Sequence, residues 1–163
     1  MTIRLATEKD LGGITEIYNQ AIALGNATAD MTPVTQAERS AWLAQHDADH
    51  YPVYVAVANN EVVGYCSLSA YRPGREALQQ TAEISYYIHQ HSRRQGVGSA
   101  LLTHAIAQCP ALGLQNLLAI LLDTNAGSIR ILEKFGFEQW GHMPGIANFS
   151  GAECGHLYFG RRI

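Results

Sequence analysis

Four stretches of the chain place apolar residues at helical spacing. Thr7 or Asp10 can cap the first of these helices, and Gly136 provides the left-handed position that ends the last. A polar loop at 28–35 precedes the second helix and is placed to cover a cleft. The predicted helices cover about residues 11–25, a short stretch around Trp42 and Leu43, 96–110 and 125–135.

Runs of β-branched and aromatic residues predict strands between these helices. The strands are expected at 3–5, 53–58, 62–68, 82–88, 116–122, 137–140 and 157–161. The Asn59-Asn60 pair predicts a tight hairpin turn, and the nearly continuous apolar run at 116–122 indicates a central strand buried on both faces. This order predicts a single α/β domain over residues 1–163, with a mixed sheet flanked by helices.

Composition narrows the classes of function. The chain has 11 basic and 14 acidic residues and a formal net charge of -3, which gives no basic surface for binding a phosphate backbone. No apolar run reaches membrane-spanning length, and the three cysteines fit neither a disulfide framework nor a metal motif. We therefore expect a cytoplasmic protein that binds neither nucleic acid nor a membrane.

The segment Arg93-Arg94-Gln95-Gly96-Val97-Gly98-Ser99 lies between a predicted strand and a predicted helix. Its two glycines allow a tight turn and close approach of a ligand, and the first amides of the helix have no internal partner. Such a turn can bind an anion, or it can simply join two elements. A P-loop would need Gly-Lys-Ser/Thr, and a dinucleotide fingerprint would need glycine in place of Leu101; neither pattern is present.

Two motifs of this chain resemble those of the GNAT acetyltransferase superfamily. The first is Arg93-x-x-Gly96-x-Gly98, and the second is Asn125-x-x-Ser128 followed by Leu132-Glu133-Lys134-Phe135-Gly136-Phe137. Within this superfamily, the chain more specifically resembles the phosphinothricin N-acetyltransferase branch. This resemblance extends along essentially the whole chain. The segments that carry it are 28–30, 33–35, Arg75, 81–83, 86–88, 144–147 and 160–161.

The resemblance implies a mostly antiparallel sheet with about four helices and a splay between the fourth and fifth strands. It implies that acetyl-CoA, as co-substrate, lies in this splay, and that the enzyme is a homodimer. The pantetheine arm would follow the backbone of 86–88, and the pyrophosphate would rest on the turn at 93–99. The implied cofactor contacts are Tyr86, Tyr87, Ile88, Arg93, Arg94, Gln95, Gly96, Val97, Gly98, Ser99, Asn125 and Lys134.

Acetyl transfer to an amine needs a proton acceptor, because an ammonium group has no lone pair. Glu83 lies on the predicted strand 82–88, whose side chains alternate between two faces. On residues alone, it could be a base or a structural partner of Arg75; the resemblance implies a catalytic base. Many relatives have a tyrosine as general acid where Leu132 stands, so water or another residue would protonate the leaving thiolate.

The candidate contacts for a substrate carboxylate or phosphinate are Arg75 and, as the second choice, Arg72. The alternative is that both are loop arginines exposed to solvent. Leu78 and Cys154 depart from tyrosines of the branch, which weakens an assignment to phosphinothricin itself. No metal is expected. The predicted reaction is acetylation of a small amino acid or analogue; the alternatives are an acetyl-CoA sensor without catalysis and an acetyltransferase acting on a protein amine.

Overall fold

The computed structural model of the chain describes residues 1–163 and contains seven strands and four α-helices. In chain order they are β1 (Thr2–Leu5), α1 (Leu11–Leu24), α2 (Gln36–Leu43), β2 (Val53–Ala58), β3 (Glu61–Ala70), β4 (Thr81–Ile88), α3 (Val97–Gln108), β5 (Asn116–Leu122), α4 (Ala126–Lys134), β6 (Glu138–Phe149) and β7 (Ala152–Arg162). This order is the predicted one. Gly25 and Gly136 follow the first and last helices in the left-handed conformation, which the sequence predicted for Gly136.

All seven strands form one sheet in the order β1-β2-β3-β4-β5-β7-β6. Every neighbouring pair is antiparallel except β4 and β5, which run parallel. That parallel pairing joins only Thr81 to Asn116, Ala82 to Leu117 and Glu83 to Leu118. Beyond Glu83 the two strands separate, which confirms the predicted splay and leaves one edge of β4 without a strand partner.

Helices cover both faces of the sheet. On one face, Leu101 and Leu102 of α3 and Leu132 of α4 belong to the larger buried cluster, with Ile84 of β4. On the other face, α1 packs Ile14 and Ile17 against Val53, Val55 and Tyr65. The apolar residues of α1, α3 and α4 therefore explain how these three helices pack, because burial removes their side chains from water. None of the helices combines the length and the apolar character needed to cross a bilayer.

The last two strands are longer than predicted. β6 and β7 form a hairpin around Ser150 and Gly151, both of which have positive φ angles. Pro144 and Gly145 lie outside the predicted strand 137–140, but in the structure they belong to β6, where its register with β7 shifts between Met143 and Ala147. A proline is tolerated there because β6 is an edge strand and need not donate a hydrogen bond on its free side.

A buried carboxylate fixes the start of α1. Both oxygens of Asp10 accept hydrogen bonds from Arg4, at 2.7 and 2.8 Å, and Oδ2 also accepts from the amide and hydroxyl of Thr7. The hydrogen bonds from Arg4 are the largest cause that lowers the pKa of Asp10. The carboxylate form is thus stabilised by folding.

Asp10→Asn is expected to lower the free energy of unfolding at pH 7 by roughly 1–3 kcal/mol, because it leaves charged donors with a weaker acceptor. Since folding lowers the pKa of Asp10, the stabilisation is fully present above the unfolded pKa of about 3.9 and is lost as the pH falls through the lower folded pKa. Urea unfolding of both proteins between about pH 7 and pH 2 would check this. A difference that stays constant over that range would contradict it.

Candidate active site

The side chains of β4 point to two different cavities. Glu83, Ser85 and Tyr87 face the side of α1 and α2, whereas Tyr86 and Ile88 pack on the core beside α3 and α4. Pairing with β3 is regular from Ala82 to Ile88, so no bulge interrupts the predicted alternation. Because successive residues of a strand face opposite sides, one strand supplies groups to both cavities.

The larger cavity is a cleft of about 670 Å³ at the splay. The cofactor contacts predicted from sequence that line it are Tyr86, Tyr87, Ile88, Arg93, Arg94, Gly96, Val97, Gly98, Ser99 and Asn125. Gln95 is not among the lining residues; its side chain donates a 2.7 Å hydrogen bond to the carbonyl of His91 within the turn. Lys134 lines a different cavity, with Phe135 and Trp140.

The turn before α3 has the geometry of an anion cradle. Gly96 has a φ of +83° and precedes the first helical residue, Val97, so the free amides of the first turn open toward the cleft. A Cβ on Gly98 would lie 3.3 Å from Cδ1 of Ile131, which shows how closely α3 and α4 approach there. Arg94 also lines the cleft, and its φ is +61°. These groups fit a pyrophosphate, through free amides at a helix N-terminus and a nearby guanidinium.

The first turn of α4 forms the opposite wall of the cleft. Asn125 caps this helix, and its side-chain oxygen accepts a hydrogen bond from the amide of Ser128 at 3.1 Å. Tyr86 reaches toward this wall, and burial raises its pKa to about 12. Leu132, at the position where the resemblance implies a tyrosine, is 1% exposed and packs within the core.

The second cavity has a volume of about 320 Å³ and contains Glu83. Ala27, Thr28 and Ala29 form part of its wall, so the loop after α1 borders it as expected. The other lining residues are Tyr18, Arg39, Trp42, Tyr65, Ser67, Ser69, Ser85, Tyr87, Ile120, Leu121, Leu122 and His156. Ala27 and Tyr87 line both cavities, which places the two cavities against each other at the splay.

Glu83 lies at the last paired position before β4 and β5 separate. It forms no ion pair, so the alternative of a structural bridge to Arg75 is wrong. Burial raises the pKa of Glu83, because removing a carboxylate from water disfavours its charged form. An unpaired carboxylate with a raised pKa beside a cofactor-sized cleft suits a proton acceptor.

Arg72 and Arg75 do not reach this cavity. Both are exposed and line a separate surface cavity with Tyr51 and Leu78, in the connection between β3 and β4. Their substrate contacts stay a prediction.

Comparison with known proteins identifies the family. Residues 19–137 match the Acetyltransferase (GNAT) family. The chain belongs to this family. It is 40% identical over 148 residues to an L-methionine sulfoximine/L-methionine sulfone acetyltransferase of Pseudomonas paraeruginosa, covering 89% of this chain and 84% of the relative.

Two solved structures are similar over nearly the whole chain of this acetyltransferase. One is a GNAT superfamily phosphinothricin acetyltransferase from Sinorhizobium meliloti in complex with acetyl-CoA, with a TM-score of 0.93, 32% identity and coverage of 99% and 88% of the two chains. The other is a ribosomal-protein-alanine N-acetyltransferase from Brucella melitensis, with a TM-score of 0.94, 31% identity and full coverage of both. The protein is thus an acetyl-CoA-dependent N-acetyltransferase, which confirms the predicted enzyme over the sensor.

Sequence reasoning missed Arg39 in this acetyltransferase. The residue lies on α2, is only 7% exposed and lines the cavity of Glu83. Its guanidinium carbon lies 3.7 Å from the ring centre of Trp42 and 4.5 Å from that of Tyr18. The available signal was spacing: Arg39 precedes Trp42 by three residues, which places both on one side of a helix.

The two histidines that follow α2 do not form a metal site. His46 contacts the carbonyl of Trp42 at 3.0 Å and the hydroxyl of Ser69 at 3.2 Å, whereas His50 pairs with Asp47. No group of three or more potential ligands of the histidine, cysteine, aspartate or glutamate type comes together anywhere in the chain.

Proposed function

We propose that this acetyltransferase moves the acetyl group of acetyl-CoA directly to the primary amine of a small amino acid or amino-acid analogue. Among small amino acids and their analogues, we favour acceptors of the phosphinothricin and methionine sulfoximine type. The observation that carries the proposal is the position of Glu83, unpaired and partly buried, in the small cavity that adjoins the cofactor cleft where β4 and β5 separate.

Glu83 acts as the general base in this proposal. The acceptor amine arrives as an ammonium ion, and the carboxylate of Glu83 takes its proton directly or through one water molecule. The free amine attacks the carbonyl carbon of the acetyl-CoA thioester and forms the C–N bond. The C–S bond breaks, and CoA leaves as a thiolate that water or another residue protonates. Since the pKa of Glu83 is raised, its proton affinity is closer to that of the amine than for an ordinary glutamate, which favours the transfer.

Backbone groups of β4 and of the turn before α3 hold the cofactor, together with the charges of nearby arginines. The free edge of β4 after Glu83 offers the amides and carbonyls of 86–88 to the amide groups of pantetheine, as an added strand would. The turn at 93–99 receives the pyrophosphate, with Arg93 and Arg94 nearby. Asn125 serves the acyl end of the cleft, and Lys134 stays a predicted contact near the nucleotide although its cavity is separate.

A small acceptor is favoured by two observations. The cavity of Glu83 has a volume of about 320 Å³ and is bordered by the loop at 27–29, which suits an amino acid. The relative from Pseudomonas paraeruginosa is named for methionine sulfoximine and methionine sulfone, both amino-acid analogues. A protein N-terminus is the second candidate, because the similar structure from Brucella melitensis is named for ribosomal-protein alanine.

We also propose that the enzyme is a cytoplasmic homodimer. Trp140, Met143 and Ile146 are 45–57% exposed on the edge strand β6, where apolar side chains favour a partner surface. Light scattering coupled to size-exclusion chromatography would test the dimer, since a mass near 17.8 kDa would contradict it.

Release of CoA from acetyl-CoA across a panel of amines tests the acceptor. The panel contains phosphinothricin, L-methionine sulfoximine, L-methionine sulfone, ordinary amino acids and a peptide beginning with alanine. We expect a sulfoximine, sulfone or phosphinate to give a kcat/KM at least tenfold above that of the peptide. Turnover of the peptide alone would favour the protein acceptor, and turnover of none would overturn the proposed function.

A further inference from the structure

Arg39 carries a positive charge that no acidic side chain neutralises. It is buried, and no carboxylate lies within 4.0 Å of it. Its neighbours are aromatic instead: the rings of Tyr18, Trp42 and Tyr65 surround the guanidinium at 4.5, 3.7 and 5.8 Å. Stacking on aromatic faces holds the planar group in one orientation but provides no hydrogen-bond acceptor in its plane.

The hydrogen-bond donors of Arg39 are mostly without partners. A guanidinium has five N–H donors, and Nη2 donates one long bond of 3.3 Å to the hydroxyl of Tyr65. Nε is buried and has no partner. A buried guanidinium with so few acceptors is costly, so its retention beside a cavity indicates a ligand that supplies an acceptor to its Nη groups.

Arg39 and Glu83 line the same cavity, one as a cation and the other as an anion. An α-amino acid brings the complementary pair, an ammonium group and a carboxylate. No second carboxylate side chain lines this cavity, so nothing there competes for Arg39. Asp30 is the acidic residue of the loop at 28–35; it does not line the cavity, and its carboxylate accepts a hydrogen bond from the hydroxyl of Tyr18.

We propose that Arg39 is the binding residue for the anionic group of the acceptor, so that the enzyme selects small amines that carry a carboxylate or a similar planar oxyanion. The inference rests on the proposed function, since it concerns the acceptor cavity of that reaction. The guanidinium offers the carboxylate a pair of parallel N–H bonds while its aromatic neighbours fix its orientation. The amine is then directed toward Glu83 and the cofactor cleft.

The test compares L-methionine sulfone with its carboxamide in wild type, Arg39→Lys and Arg39→Gln. The two acceptors differ only in the anionic group. We expect Arg39→Gln to raise KM for the acid at least tenfold and to change KM for the carboxamide little, so that the preference for the acid falls at least tenfold. Arg39→Lys should recover part of the preference, because it keeps the charge and loses the planar fork.

Two controls separate recognition from folding. The KM for acetyl-CoA and the melting temperature should stay close to those of wild type, and Arg162→Gln, which removes an exposed arginine away from the cavity, should leave the preference unchanged. An equal rise in KM for the acid and the carboxamide in Arg39→Gln would overturn the proposal. An unchanged preference for the acid over the carboxamide would overturn it as well.

A failure of the proposed function would give a different result. If wild type acetylated no amine on the panel, calorimetric titration of L-methionine sulfone into protein saturated with CoA would still test Arg39. Binding to wild type that is at least tenfold weaker in Arg39→Gln supports the anion site. Equal binding to both proteins, or no binding to wild type, would overturn it.

Discussion

Glu83→Gln is expected to lower kcat for the preferred amine by at least about a hundredfold. Glutamine keeps the size of the side chain and its place beside the cofactor cleft, but it cannot accept a proton at neutral pH. Because Glu83 forms no ion pair, the substitution breaks no salt bridge, and the fold should be retained. Steady-state release of CoA, with the melting temperature as a control, measures the effect.

The pH dependence identifies the role of Glu83 more specifically than the size of the loss. Burial raises the pKa of Glu83, so wild-type kcat should fall on acidification at a pH above the ordinary glutamate value of about 4.3. This limb should be absent from Glu83→Gln, whose remaining activity should rise with pH as free amine forms in solution. A variant that keeps wild-type turnover, or the same acid limb, would exclude Glu83 as the base.

Ser99→Asp is expected to weaken acetyl-CoA binding by at least a hundredfold while leaving the melting temperature of the free protein equal or higher. Ser99 is the third residue of α3, where a negative charge stabilises the helix dipole by about 0.3–1 kcal/mol. The same carboxylate would face the pyrophosphate in the cleft. Like charges about 4 Å apart repel by about 4 kcal/mol at an effective dielectric constant near 20.

Ser99→Asn is the matched control, since it has nearly the same shape without the charge. In titration calorimetry, the Kd of Ser99→Asn for CoA should lie within a few-fold of the wild-type value, whereas Ser99→Asp should bind CoA far more weakly. The difference between the two variants should decrease at high salt. A pyrophosphate bound elsewhere would leave both variants close to wild type. In Ser99→Asp, weaker CoA binding together with an equal or higher melting temperature would indicate repulsion of the ligand, because damage to the fold would lower both affinity and melting temperature.

Local backbone chemistry explains why so much of the fold could be predicted. The Asn59-Asn60 turn, the apolar strand 116–122 and the turn at 93–99 depend on residues close in sequence, and each formed where expected. The two motifs that resemble those of the family predicted the splay and the cofactor. The predicted strand 137–140 was too short, because whether a proline such as Pro144 interrupts a strand depends on whether that strand lies at the sheet edge.

The sequence by itself determined the order of the elements, the cradle at the start of α3 and Glu83 as the candidate base. Only the tertiary structure decided which side chains share a cavity: it brings Arg39 to Glu83 and leaves Arg72, Arg75 and Lys134 elsewhere. The physical reason is that spacing along the chain fixes the face of a helix or strand, whereas a cavity forms where distant elements pack. Arg39 and Glu83 line one cavity because α2 covers the sheet beside the place where β4 and β5 separate.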